Sequence, residues 1–172
     1  EIVNKNSKVI WEFEHASENS FIHHDFEVLP NGNILMIASE KKTKQEAINN
    51  GKNPNEINQF GLYPTKIIEV NQKKEIVWEW HAWDHMIQDF DSSKKNYGQV
   101  KNHPELIDIN YHNGFNNDWM HTNSIDYNPE LDQILISNRH LCEIWIIDHS
   151  TTTSESRGHS GDNSGKGGDI LY

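Results

Sequence analysis

Two stretches of the chain repeat each other. Val3-Asn4 precedes Trp11-Glu12-Phe13, and Val70-Asn71 precedes Trp78-Glu79-Trp80, both at an offset of 67 residues (3 to 70, 11 to 78). Each copy reads strand, polar turn, strand: Lys8-Val9-Ile10-Trp11 in one, Glu75-Ile76-Val77-Trp78 in the other. A third copy begins at Glu143-Ile144-Trp145-Ile146-Ile147-Asp148 and resumes after a long loop at Asp169-Ile170-Leu171-Tyr172. Serial repetition constrains a fold severely. Each unit is one supersecondary element that buries its apolar face only by stacking on its neighbours.

Other strands fill the intervals. His24 to Leu29 and Asn33 to Ser39 flank Pro30-Asn31-Gly32, and Asn-Gly between alternating runs signals a tight hairpin. Met120 to Tyr127 and Gln133 to Asn138 flank a longer turn at Asn128 to Asp132. Alternation along the first of these predicts His121, Asn123, Ile125 and Tyr127 on one side. Four antiparallel strands in series are the pattern of a β-propeller blade. The predicted fold is therefore all-β, a propeller segment of about two to three blades. Residues 1–13 end one blade, 22–80 form a second, 81–119 are a long insertion, and 120–172 form an incomplete third. A ring needs at least about four blades, so the segment is expected to belong to a larger propeller. The competing fold is a two-sheet β-sandwich.

Composition narrows the function classes. The chain has 172 residues, mean hydropathy −0.82 and 34% hydrophobic residues, but six Trp and five Tyr argue for a packed fold. Long polar loops on a small-stranded core reconcile the two. The net charge of −11, with no more than two adjacent Lys, speaks against a nucleic-acid surface. The single Cys142 excludes an intrachain disulfide framework and any Cys-based zinc site. No apolar run approaches membrane-spanning length. The chain opens on Glu1 with no visible signal peptide, so a processed or excised piece of something longer is expected. Glu40 to Tyr63 reads as a surface loop with one helical turn near Gln45 to Ile48, and Trp83 to Ile87 as the start of a short helix. Ser150 to Gly168 is rich in Ser, Thr and Gly. It is expected to stay ordered only over the ring mouth or against a neighbour.

His121 opens one strand of a hairpin and Arg139 closes the other, so the two meet at one sheet edge. His24 precedes Val28 by four residues, as His121 precedes Ile125, which makes them equivalent positions. His23, His24, His121, Arg139 and His140 would then converge on the channel as a cationic mouth for an anion. Arg offers a planar donor fork that fits sulfate or phosphate oxygens two at a time. The plainer alternative is a set of mouth residues bound only to water. His81-x-x-x-His85 has metal-ligand spacing on a helix, and His23-His24-Asp25 could add ligands. No Glu stands between His81 and His85 as in a zincin, and no acidic residue is obviously clustered with His121, so no metal is assigned. Ser164-Gly165-Lys166-Gly167 is a poor phosphate loop, and neither Ser124 nor Ser137 sits in a Gly-x-Ser-x-Gly elbow.

Several long, ordered motifs carry a family resemblance. Asp118-Trp119-x-His121-x-Asn123-Ser124-Ile125 followed by Ser137-x-Arg139 resembles the bacterial arylsulfate sulfotransferase family. So do His23-His24-Asp25-Phe26-x-x-Leu29-Pro30-Asn31-Gly32-Asn33, Gln88-Asp89-Phe90-Asp91-Ser92-Ser93 and His103-Pro104-Glu105-Leu106-Ile107-Asp108. Gly161-x-Asn163-Ser164-Gly165-Lys166-Gly167-Gly168-Asp169 matches as well, and the resemblance runs from about Trp11 to Tyr172. It implies nucleotide-independent sulfuryl transfer from an aryl sulfate donor to a phenolic acceptor through a His-bound intermediate. It also implies no cofactor, and a periplasmic or secreted home. His121 and Arg139 match supporting positions in that chemistry. One of His23 and His24 matches another, and the register favours His24. His23, Asn123 and His140 are candidate substrate-binding residues. The family's nucleophilic His lies in a later blade, in a Gln-His-Asp type motif, and no such motif follows Arg139. The chain is thus expected to hold supporting groups without the nucleophile. The rivals are a non-catalytic propeller that binds an anionic or aromatic ligand, and a propeller hydrolase with a channel metal. Open blade faces would also allow a homo-oligomer.

Overall fold

The repeated stretches fold into the same turn. In the computed structural model, which describes residues 1–111 and 117–172, β1 (Ile2–Val3) and β2 (Val9–Trp11) form an antiparallel ribbon. Its turn is closed by Asn4 N–H to Lys8 O at 2.9 Å and Ser7 N–H to Asn4 O at 2.9 Å. The second copy matches bond for bond: Asn71 N–H to Glu75 O at 3.0 Å and Lys74 N–H to Asn71 O at 2.9 Å. Ser7 and Lys74 both take a left-handed backbone, at φ 59° and 68°. In each turn the Asn side-chain oxygen accepts from the backbone N–H two and four residues on, which is why Asn opens both.

The central sheet is an antiparallel meander of four strands in chain order: β3 (Ser20–Val28), β4 (Ile34–Glu40), β5 (Thr65–Val70) and β6 (Ile76–His81). β3 and β4 meet at a three-residue loop between Leu29 and Asn33, where Gly32 sits at φ 84°. After β6 come a short parallel pair, β7 (Met86–Ile87) and β8 (Ile107–Asp108), and then a second antiparallel sheet. That sheet is β9 (Thr122–Asn128), β10 (Gln133–Asn138) and β11 (Glu143–Asp148). Leu171 and Tyr172 extend it. Ile146 N–H donates to Tyr172 O and Leu171 N–H to Ile146 O, each at 2.8 Å, so the third repeat does resume there. The chain is mostly β-sheet with few helices.

The sheets stack in layers. β4 is buried on both faces. Ile34 and Met36, with Ile68 and Val70, pack towards Ile2, Trp11 and Phe13 near the ribbon. Leu35, Ile37, Ile67, Trp78 and Trp80 belong to the larger cluster shared with Ile125, Ile134, Ile136, Trp145 and Ile147 of the second sheet. The outer face of that second sheet is open. Ile134 and Ile136 are fully buried, whereas Leu135 and Ile144 on the opposite face are 38% and 59% exposed.

Several local expectations change. The helical turn near Gln45 is α1 (Lys44–Asn49), capped at Thr43 by a capping box with Glu46. The helix expected from Trp83 is a 3-10 turn, Ala82–His85, that passes directly into β7. The long insertion 81–119 includes residues 112–116, which lie outside the described residues. The Ser150 to Gly168 loop packs on β6. Trp78 Nε1–H donates to Thr151 Oγ1 at 3.1 Å, Ser156 Oγ–H to Glu79 O at 2.6 Å and Trp80 Nε1–H to Gly168 O at 2.7 Å. Among the described residues no helix is long and apolar enough to cross a membrane.

Candidate functional site

The histidines stand where two strands break step. β3 pairs Ile22 with Ala38 and Phe26 with Met36, so it carries two more residues than β4 across that interval. The excess is taken up at His23-His24-Asp25, and His24 is left-handed at φ 60°. β9 pairs Ser124 with Ser137 but Thr122 with Asn138, so Asn123 is an extra residue. His121, two residues earlier, is left-handed at φ 49°. A non-glycine residue in this region costs about 1–3 kcal/mol and persists only where its surroundings demand it. The bulge also corrects the predicted alternation, which holds only from Ser124 onwards. Thr122 and Ile125 are both buried, so His121 and Asn123 do not share a side with Ile125 by simple alternation.

The two left-handed residues bring their rings together. His24 and His121 are 4.7 Å apart between ring centres, at 72°. His121 and His140 are 4.8 Å apart. His23 and His24 share a proton between their Nδ1 atoms at 2.8 Å, and His23 Nε2 lies 2.8 Å from Ser39 Oγ. Asp25 Oδ2 accepts the Ile125 N–H at 3.2 Å, which ties the β3 bulge to β9.

Asp118 organises the other half. His121 Nδ1–H donates to its carboxylate, and His140 Nδ1–H donates to its backbone oxygen at 2.8 Å. The first bond fixes the tautomer and leaves His121 Nε2 to meet a ligand. This corrects the reading that no acidic residue accompanies His121. The signal was the three-residue step from Asp118 to His121. One ligand atom each from Asp118, His121 and His140 lie within 4.8 Å of one another, close enough to hold a cation.

Arg139 meets His121 through the backbone, its N–H donating to His121 O at 3.2 Å. Its side chain is exposed. Asn123 Oδ1 is buried without a hydrogen-bond partner among the described residues, an acceptor of the kind a bound donor would satisfy. Beside the cluster is a cavity of about 340 Å³ lined by Phe21, Tyr63, His23, His24 and Asp118. Phe21 and Tyr63 are in ring contact at 5.8 Å and give it an aromatic wall that sequence reading missed.

Burial, with the neighbouring His24 charge behind it, pushes the His23 imidazole down to about 4. A base held below its unfolded pKa resists protonation in the folded state. Stability should therefore fall as pH drops from about 6.5 towards 4, where the unfolded chain takes up a proton the folded chain refuses. A side-chain NMR titration should give His23 a midpoint near 4, and His24→Ala should raise it. A midpoint near 6.5 in the folded wild type would show that the ring is not enclosed.

Four other described histidines are elsewhere. His81 lies 3.2 Å from Glu40 and 3.9 Å from Glu79; burial opposes its charge, but these carboxylates hold it up to about 9. His85 turns away from His81 to Asp169, so the two do not form the ligand pair their spacing allowed. His149 bridges Glu69 at 3.0 Å and Asp132 at 2.7 Å, and His159 meets Asp169.

The arylsulfotransferase (ASST) family model matches residues 7–154, which take in both bulged strands, His24, His121 and Arg139. No curated protein and no solved structure matches the chain. A match over that much of 172 residues decides the question: the chain belongs to the arylsulfotransferase family.

Proposed function

We propose that the chain is a segment of a β-propeller arylsulfotransferase that holds an aryl sulfate while a sulfuryl group passes to a phenol. The observation that carries this reading is the convergence of His24 and His121, each at a left-handed bulge, with ring centres 4.7 Å apart. In a propeller, innermost strands line the channel, and β3 and β9 would be those strands. The open outer face of the second sheet supports a further blade stacked there.

The chemistry divides as follows. The S–O bond of the donor breaks as an N–S bond to a histidine forms, and the departing phenolate takes a proton from a neighbouring imidazole. The acceptor phenol then gives its proton to that same imidazole, and its oxygen bonds to sulfur as the N–S bond breaks and frees the histidine. His121, aligned by Asp118, and His24 suit the proton and hydrogen-bond roles. Arg139 suits two sulfuryl oxygens at once, and His23, Asn123 and His140 suit contacts around them. The Phe21–Tyr63 wall suits an aryl ring. No Gln-His-Asp type motif follows Arg139, so these are supporting groups. A periplasmic or secreted home belongs to the same proposal.

The test is transfer from 4-nitrophenyl sulfate to a phenol, paired with equilibrium binding of the donor to the chain. Saturable binding is expected, with turnover several powers of ten below that of an enzyme holding its nucleophile. Absence of binding would remove the aryl sulfate assignment. Family-level turnover would place a nucleophile among the 172 residues. The Asp118, His121 and His140 set favours one other reading, a metal-dependent hydrolase, in which a chelator would abolish release of nitrophenol.

A further inference from the structure

A second group of side chains lies outside the histidine cluster. His85 closes the 3-10 turn after β6 and is fully buried; Asp169, 5% exposed, comes from the far end of the 150–168 loop. His85 Nδ1 is 2.8 Å from Asp169 Oδ1, and His159 Nδ1 is 2.7 Å from the same oxygen. One ligand atom from each residue lies within 4.8 Å of the others. His85 stacks on Trp80 at 5.7 Å and 6°, which fixes the plane of its ring.

The proton count singles this group out. His85 Nε2 is 2.9 Å from Ser156 O, a carbonyl that only accepts, so this nitrogen carries the hydrogen. In a neutral ring the Nδ1 lone pair then points at Asp169 Oδ1, itself an acceptor, with a second imidazole nitrogen aimed at the same atom. A proton or a cation must stand between them. Imidazole that donates its outer N–H to a backbone carbonyl while its other nitrogen faces inward is the usual arrangement of a metal-bound histidine.

The loop backbone is fitted to this point. A Cβ on Gly168 would lie 2.0 Å from Ser156 O and 2.7 Å from His85 Nε2. Gly167 is left-handed at φ 61°, and a Cβ there would meet Gly158 O at 2.5 Å. Only glycine at both positions lets the loop close over His85 with Asp169 in place.

We propose that His85, His159 and Asp169 bind one divalent first-row transition metal ion, which fastens the 150–168 loop to the turn after β6. Two imidazoles and one carboxylate suit zinc and its neighbours better than magnesium or calcium, which prefer all-oxygen sets. Ligand distances of about 2.1 Å require separations of about 3 to 3.5 Å, so the two short contacts open by only a few tenths of an ångström. His159 is 60% exposed, which leaves a water-accessible side for a fourth ligand.

The experiment is to strip the chain with chelator and titrate it with Zn²⁺, reading stoichiometry by mass spectrometry and stability by thermal melting. Co²⁺ absorption reports the coordination. One equivalent is expected in the wild type, with a rise in melting midpoint of several degrees. His159→Ala changes a mostly exposed side chain and should fold as the wild type does by circular dichroism, yet bind at least about 100-fold more weakly. Asp169→Asn should do the same. His121→Ala separates this site from the Asp118 group and should keep the ion. The proposal is overturned if the wild type binds no ion, if His159→Ala binds as tightly as the wild type, or if His121→Ala is the variant that loses it.

Discussion

His121→Ala and Arg139→Lys should each lower sulfuryl transfer by about 100-fold or more, the scale of losing one transition-state donor. The proposed step builds negative charge on the sulfuryl oxygens and on the leaving phenolate. Arg139 stays protonated and presents two donors in one plane, whereas Lys offers a point charge on a flexible stem. His121 acts through Nε2 because its Nδ1–H is given to Asp118. Neither change should disturb folding, since Arg139 is exposed and His121 stands outside both hydrophobic clusters. The measurement is steady-state transfer from an aryl sulfate in a protein that also holds the nucleophile, with circular dichroism on each variant. Wild-type turnover in a folded variant would remove that residue from the site. If both stayed active, a binding role for the histidine cluster would be the better account.

Trp80→Ala should destabilise the chain by about 3–5 kcal/mol, the range for removing a large buried aromatic. Trp80 is fully buried in the cluster between the two larger sheets. It also donates to Gly168 O at 2.7 Å and stacks on His85, so truncation strips a partner from the loop as well as volume from the core. At this chain length the melting midpoint should drop by roughly 10 °C. A drop of only a degree or two would mean that the two sheets do not share a core around Trp80.

The repeat was the most legible part of the fold. Asn4 and Asn71 each close the same turn, so the offset in sequence became an identity in hydrogen bonds. The Ile-rich strands β4 and β10 were clear for the same reason: local pattern suffices where burial is regular. Alternation misled in β9 because one extra residue at Asn123 shifts every side chain before it to the other face. The candidate cluster was half legible. Motif matches named His24, His121 and Arg139, but Asp118 as the aligning partner needed the backbone turn between residues 118 and 121. Spacing paired His81 with His85. The fold instead gave His85 to Asp169, 84 residues away, a distance that no local pattern reports.

The double bulge in β3 has a consequence for how such a protein could change over time. Ile22 and Phe26 find Ala38 and Met36 on β4 whatever lies between them. His23, His24 and Asp25 are thus spliced between two paired stretches of the sheet, with Asp25 tying the bulge to β9 and His23 reaching Ser39 on β4. The hydrophobic scaffold and the bulge between these pairs are separable parts of the strand. Under the proposed function, substitution of His24 would silence the chemistry and leave the pairing on either side of the bulge in place, so inactive relatives on an intact fold are an easy evolutionary step from this one.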